Sequence, residues 1–166
     1  MTQSGEVHIR AATAADAQVI KETIKRAGLD RTGLDWRRFN RAVTAEGEVV
    51  GMCQVRRYWA TRELGSLWVR KGLRQHGLGA MLIRACLAEE SPPVHLECVE
   101  ARQPYYEKHG FRRIPVLHAP RGLRVKSAIG GTLARIFVHQ RVIVMRWDGA
   151  ASSPAVLPDQ GDERDR

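Results

Sequence analysis

The chain has 166 residues, enough for one domain with a hydrophobic core and too few for two comfortable ones. Its composition, 43% hydrophobic and 27% charged residues, is that of an ordinary soluble globular protein. No apolar run approaches the roughly 20 residues that cross a bilayer, and residues 1–6 lack the basic and then apolar order of a signal peptide. We therefore expect a cytoplasmic protein that has no membrane partner.

The formal net charge is +9, with 27 Lys and Arg residues against 18 Asp and Glu residues. A positive field favours an anionic partner, such as a nucleic acid, a membrane surface or a polyphosphate cofactor. The basic residues are scattered along the chain and do not interleave with aromatic residues in an RNA-binding pattern. This distribution argues against nucleic acid as the main partner.

Cysteine and histidine usage predicts neither a disulfide framework nor a metal site. Cys53, Cys86 and Cys98 lie in apolar stretches and form no Cys-x-x-Cys pair, so buried reduced thiols are expected. The histidines other than His76 share no spacing typical of metal ligands.

The first half of the chain predicts one helix and a set of antiparallel strands. Thr13 and Asp16 resemble a capping box at the start of a helix that Gly28 closes. The apolar positions of this helix recur at spacings of three and four, and so share one face: Ala17, Ile20, Ile24 and Ala27. Strands are expected at 7–9, 39–44, 49–56 and 63–69, with a turn at 46–48 and a polar loop at 58–62.

The second half continues with a helix at 77–89, a strand at 94–99, a short helix at 104–109 and strands at 111–116 and 142–147. The stretch 121–137 is basic and weakly amphipathic, and Gly130-Gly131 would interrupt any helix there. Residues 149–166 are small, polar and proline-containing and predict a disordered tail, so that one domain spans 1–148. This order predicts an α/β (α+β) fold with helices flanking a mixed, mostly antiparallel central sheet.

A basic turn with two glycines joins the strand at 64–69 to the next helix. The first turn of a helix has backbone N–H groups without partners and the positive end of the dipole, which together suit a pyrophosphate. Gly77 and Gly79 would let an anion approach the backbone, and Arg70, Lys71, Arg74 and His76 supply donors around it. A P-loop and a dinucleotide fingerprint are excluded, since the turn has no Gly-Lys-Ser/Thr and has Leu82 in place of the third glycine. The alternative is an ordinary strand–turn–helix connection.

Three segments carry a resemblance to a known family. Leu67-Trp68-Val69, then Arg74-x-x-Gly77-x-Gly79, then Tyr105-Tyr106-Glu107-Lys108-His109-Gly110-Phe111 resemble, in order and separation, the GNAT superfamily of acetyltransferases. Gln75 stands where the family often has glycine. The resemblance implies acetyl-CoA as cosubstrate, without a metal, bound by Leu67, Trp68, Val69, Arg74, Gln75, His76, Gly77, Leu78, Gly79 and Ala80.

The resemblance also implies direct transfer of the acetyl group to a primary amine in a ternary complex, without an acyl-enzyme. Tyr106 matches the family's usual acid, which protonates the leaving thiolate, and the N–H of Leu67 or Val69 would bind the thioester oxygen and pantetheine arm. A phenol is protonated at neutral pH, which suits this role; simple packing of Tyr106 is the alternative.

Glu63 is the best candidate for the base that takes the amine's proton, directly or through water. Alternation along its strand would put 63, 65, 67 and 69 on one face. A solvated glutamate at a strand edge is an equal alternative, and Glu97 and Glu100 are weaker candidates.

Two other functions stay open at this point: a non-catalytic acyl-CoA sensor on the same fold, and a basic nucleic-acid-binding module. The acceptor could be a small amine, an amino acid, an antibiotic or a protein, and a homodimer is possible. Trp36, Trp59 and the basic stretch 121–135 are compatible both with lining the acceptor side and with plain packing or solvation.

Overall fold

A single mixed sheet organises the fold in the computed structural model, which describes residues 6–126, 128 and 141–149. The strands are β1 His8–Ala11, β2 Phe39–Val43, β3 Val49–Tyr58, β4 Thr61–Val69, β5 Val94–Val99, β6 Phe111–Ile114 and β7 Val142–Trp147; the helices are α1 Ala17–Arg26, α2 Leu78–Ala88 and α3 Gln103–Glu107. The strand order is β1-β2-β3-β4-β5-β7-β6, and the β4–β5 pair alone is parallel. The predicted mostly antiparallel sheet between helices is confirmed.

Each face of the sheet buries a separate apolar cluster. One cluster lies against α2, on what we call the α2 face, and includes Val55, Leu64, Leu82, Ile83 and Leu96. The cluster on the other side, the α1 face, contains Ala12, Ile20, Ile24, Phe39 and Met52. The predicted stripe of α1 is therefore buried at its two isoleucines, whereas Ala27 is exposed.

The 3-10 turn Ala14–Asp16, which leads into α1, follows the predicted capping pattern. The backbone N–H and the hydroxyl of Thr13 both donate to Asp16 Oδ2, at 2.7 Å and 2.8 Å. Asp16 is itself buried and paired with Arg41 at 2.6 Å. This pairing ties the first turn of the helix to β2.

The predicted polar loop at 58–62 is wrong. Strand β3 continues to Tyr58 and β4 begins at Thr61, so only Trp59 and Ala60 form the turn. Trp59 takes a left-handed φ of 45°, and the N–H of Thr61 donates to its carbonyl at 2.9 Å. The cross-strand pairing of the long Arg and Tyr side chains here outweighs their polarity, which alone had indicated a loop.

The C-terminal part is described up to residue 149, so the predicted tail lies, from 150 onward, outside the described residues. Of the basic stretch 121–137, the described residues 121–126 and 128 are helical, and Leu123 anchors them in a cluster with Ile114, Ala119 and Val144. Among the described helices, none combines the length and apolarity needed to cross a membrane.

Candidate active site

The predicted phosphate turn ends at a helix start that has free backbone donors. Gly77 is the N-cap of α2 and has a left-handed φ of 78°. The N–H of Met81 donates to Gly77 O at 3.0 Å and closes the first helical turn. The N–H groups of Leu78, Gly79 and Ala80 therefore precede the helical hydrogen-bond ladder, as an anion site requires.

The side chains of the turn fold back toward the strand. Arg74 Nε donates to Val69 O at 3.0 Å, and His76 Nδ1 lies 2.8 Å from Arg74 O. Arg70 is instead paired with Glu48 at 2.7 Å in the turn between β2 and β3. Arg70 is thus committed to a structural ion pair.

Two positions of the turn are constrained in different ways: Gln75 by its backbone conformation and Gly79 by a neighbouring side chain. Gln75 has a left-handed φ of 69°, a conformation that glycine adopts without a steric cost. A Cβ at Gly79 would lie 2.5 Å from the Tyr105 hydroxyl, so a larger residue there would displace the end of the Tyr105 side chain. Leu78 is buried in the α2-face cluster and contributes to the turn through its backbone.

A β-bulge interrupts β4 in its middle. The register against β3 shifts between Met52 and Gln54, so that Ser66 and Leu67 together face Cys53. Ser66 has a left-handed φ of 55°. A bulge leaves backbone groups of the longer strand outside the ladder, which provides possible donors at this point of β4.

The bulge overturns the expectation that 63, 65, 67 and 69 share one face. Leu67 and Val69 pack with Leu64 in the α2-face cluster. Glu63 lies opposite Arg56 on the α1 face. One additional residue in a strand exchanges the faces of all following side chains. Trp68 correspondingly packs on the α1 face.

Strands β4 and β5 diverge beside this bulge. Their register contains one pair, Glu63 opposite His95, although β4 continues to Val69 and β5 to Val99 within the described sheet. Because the strands are parallel, their carboxyl ends open at the same edge. The phosphate turn follows one strand and α3 follows the other, so the gap lies between the turn and Tyr106.

Tyr106 is held at this edge by packing on both sides. Its ring lies 5.2 Å from that of Tyr105 and 6.1 Å from that of Phe111, both edge to face. Gly110, with a φ of 83°, ends the segment and lets Phe111 fold back into the core. Burial raises the pKa of Tyr106 well above its usual value, so the phenol stays protonated throughout the neutral range.

Glu63 is buried, which removes the solvated-glutamate alternative. Its side chain is 3% exposed. Tyr58 OH donates to Glu63 Oε2 at 2.5 Å, and Lys126 Nζ donates to Oε1. Of the weaker candidates, Glu97 also contacts Lys126, at 3.3 Å, whereas Glu100 is exposed and paired with Arg113 at 2.6 Å.

Sequence reasoning missed the charged residues around Glu63. Arg56 is 3% exposed and binds Asp30, while its Nη2 lies 3.2 Å from Ser66 Oγ. Lys126 comes from the helical segment 121–126 and also binds Asp30, at 2.9 Å. These residues are far apart in sequence and lack a local pattern. The available signal was an arginine at an inward position of a strand, Arg56, which requires a buried partner.

Residues 39–113, which include β2 to β5 and most of β6, match a family model described as an acetyltransferase (GNAT) domain. This central part of the chain is thus similar to a GNAT domain. This match includes the phosphate turn, the bulge and Tyr106. No curated protein sequence matches the chain.

Solved structures with the same fold include several acetyltransferases. The fold superposes on N-acetylglutamate synthase from Neisseria gonorrhoeae, solved with coenzyme A and N-acetyl-glutamate, with a TM-score of 0.64 and 14% identity, over 87% of this chain and 36% of that one. The present chain thus spans about a third of that enzyme's length. Rv2747 from Mycobacterium tuberculosis, solved with CoA, gives a TM-score of 0.62 and 16% identity, over 82% of this chain and 97% of that one. A GNAT-family acetyltransferase from Staphylococcus aureus gives 0.59 and 16%, over 86% and 98%.

Two of the three thiols have a raised pKa. All three cysteines are free. Burial raises the pKa of Cys98, on β5, to about 11, although Arg102 opposes the shift. The hydrogen bond with Cys86 and burial raise the pKa of Cys53, whereas the same hydrogen bond lowers the pKa of Cys86.

We predict slow alkylation of Cys98 at neutral pH. Since its pKa is raised to about 11, roughly a thousandth of the thiol is thiolate at pH 8, against roughly a quarter for an ordinary cysteine. The rate of iodoacetamide labelling at Cys98, followed by peptide mass spectrometry, should increase about tenfold per pH unit from 8 to 10. A rate at pH 8 equal to that of a free cysteine would contradict the raised pKa.

Proposed function

We propose that the chain transfers the acetyl group of acetyl-CoA to a primary amine by direct attack in a ternary complex. The observation that carries this proposal is the gap between β4 and β5, which has the free N–H groups of α2 at one end and Tyr106 beside it. In this arrangement, the turn from Arg74 to Ala80 binds the pyrophosphate. The thioester then extends between the strands.

The bulge supports the electrostatic part of the reaction. The N–H of Leu67 lies outside the regular ladder and would donate to the thioester oxygen as negative charge develops on it. The N–H of Val69 would bind the pantetheine arm. Trp68 and Val69 also form the wall of the gap that precedes the turn.

Proton transfers are assigned to two residues. The amine nitrogen attacks the thioester carbon, the C–S bond breaks, and Tyr106 gives its proton to the leaving thiolate. Before the attack, Glu63 takes one proton from the acceptor's ammonium, directly or through water. The attacking nitrogen loses a second proton as the amide forms. That proton restores the Tyr106 hydroxyl, and the proton on Glu63 is released to solvent. The net reaction converts acetyl-CoA and amine into acetamide and free CoA. The raised pKa values of Cys53 and Cys98 support direct attack without an acyl group on either of these cysteines.

Release of free CoA in the presence of a panel of amines tests this function. Turnover with at least one primary amine is the expected result. Binding of acetyl-CoA without turnover on any amine would favour the non-catalytic sensor instead. Failure to bind acetyl-CoA would overturn both.

We predict that Gly77→Glu abolishes the thermal stabilisation that acetyl-CoA gives to the wild type. A carboxylate at the N-cap would repel the pyrophosphate and occupy its approach. Gly47→Glu is the matched control, since Gly47 has a similar φ of 85° against 78° for Gly77, and a Cβ at either would meet nothing within 4 Å. Both variants should lose similar stability, and only Gly77→Glu should lose the response to acetyl-CoA. Equal responses in the two variants would move the cofactor site elsewhere.

A further inference from the structure

An ammonium group of the chain itself lies among three carboxylates beside the proposed reaction site. Lys126 Nζ contacts Glu63 Oε1, and it lies 2.9 Å from Asp30 Oδ2 and 3.3 Å from Glu97 Oε2. Glu63 and Glu97 belong to β4 and β5, the two strands that diverge around the gap. This carboxylate site therefore opens next to the point where the thioester would lie.

The exposure of the three carboxylates defines the shape of the carboxylate site. The side chain of Glu63 is 3% exposed, that of Glu97 14% and that of Asp30 37%. Glu63 thus lies at the bottom and Asp30 at the rim. Lys126 enters from the rim and is itself 23% exposed, so a ligand could reach the site from solvent if this side chain moved.

Buried polar atoms without partners lie around the same site. Within the described residues, Gln54 Oε1, Arg56 Nε and His95 Nδ1 have no hydrogen-bond partner, and all three residues are buried. His95 lies opposite Glu63 in the register. The Gln54 amide donates to Ser66 Oγ at 3.1 Å, next to the Arg56 guanidinium. A buried acceptor oxygen without a donor is costly and points to a ligand N–H.

We propose that the carboxylates of Asp30, Glu63 and Glu97 bind the ammonium group of the acceptor, and that Lys126 is a self-ligand which the acceptor displaces. The acceptor is then a cationic alkylamine. The inference rests on the proposed function for the identity of its ligand, whereas binding of an ammonium group at this site can be measured independently.

The surroundings of Lys126 favour the ammonium form of an amine. Burial by itself lowers the pKa of Lys126, but Glu63 and Asp30 outweigh that effect and raise it. The site therefore holds an amine as its ammonium ion, and an acceptor bound there becomes a nucleophile only after it gives a proton to Glu63. An acceptor that brings its own ammonium replaces the charge of Lys126 with an equal one, so that the charge balance of the buried site is kept.

Excision of the self-ligand gives a direct test. Lys126→Ala removes three carbons and the ammonium group, which together correspond to n-propylammonium. This probe should raise the melting temperature of the variant saturably, by about 3 °C, whereas equal concentrations of n-propanol or sodium chloride should not. The wild type should respond much less, because its own lysine competes. If the variant folds only when n-propylammonium is present, and not with n-propanol, the site also binds an ammonium group. No response or rescue would overturn the proposal.

Kinetics with an acceptor found in the CoA-release panel test the role of the site. Asp30→Asn should raise KM for a cationic acceptor about fivefold, with kcat little changed. Asp35→Asn is the matched control, because the Asp35 side chain is also 37% exposed and also pairs with arginine. An unchanged KM in Asp30→Asn, or acetylation of Lys126 in the wild type, would overturn displacement by the acceptor. If no amine is acetylated, the proposed function fails. A rise in the melting temperature of Lys126→Ala with n-propylammonium would then still show that the site binds an ammonium group, which would belong to a ligand other than an acetyl acceptor.

Discussion

Replacement of Tyr106 by phenylalanine is expected to lower kcat about a hundredfold, the lower end of what a general acid contributes. The ring keeps its contacts with Tyr105 and Phe111, so the fold and the affinity for acetyl-CoA should be unchanged. Because the pKa of Tyr106 is raised above its usual value of 10, the wild type should not lose activity through this group as the pH rises from 7 to 10. Steady-state kinetics of CoA release and a melting curve with acetyl-CoA provide the measurements.

Tyr105→Phe is the matched control for this substitution. Its hydroxyl lies against Gly79 of α2, and we assign it no proton transfer. This variant should keep kcat within about a factor of three, a difference of less than 1 kcal/mol. Equal losses in the two variants would indicate that Tyr106 acts by packing, and another group would then have to protonate the thiolate.

Arg56→Met is expected to give the largest loss of stability, about 3 kcal/mol in the free energy of unfolding. Arg56 is 3% exposed and binds Asp30 and Ser66, and it lies 3.9 Å from Glu63. Its removal leaves two carboxylates that only Lys126 then neutralises, one of them deeply buried. Urea unfolding followed by circular dichroism measures the change, and the melting temperature should decrease by roughly 10 °C.

The neighbouring Arg57→Met provides the control for burial. The Arg57 side chain is 46% exposed, and its partner Glu90 keeps a second ion pair with Arg62 at 3.4 Å, so the expected change is below about 1 kcal/mol. If Arg56→Met and Arg57→Met lower the free energy of unfolding equally, the buried charges around Glu63 contribute no more to stability than an exposed arginine does.

Sequence patterns were sufficient to predict the features that depend on a few consecutive residues. Thr13 and Asp16 predicted the start of α1, and their hydrogen bonds confirm it. The spacing of Gly77 and Gly79 predicted a helix start suited to an anion, because caps and left-handed turns depend on a few consecutive residues. The order of the elements predicted the mixed sheet for the same reason.

Contacts between distant segments were beyond such patterns. A bulge at Ser66 depends on how β3 and β4 pair, and it reverses the faces of the residues that follow. Lys126 contacts Glu63, which is 63 positions away in sequence. No local sequence pattern around either residue predicts this contact. The fold family, its phosphate turn and the candidate acid Tyr106 could thus be predicted from residues that are close along the chain. The environment of Glu63 could not, because burial of a charge is stable only with partners that folding alone brings into contact.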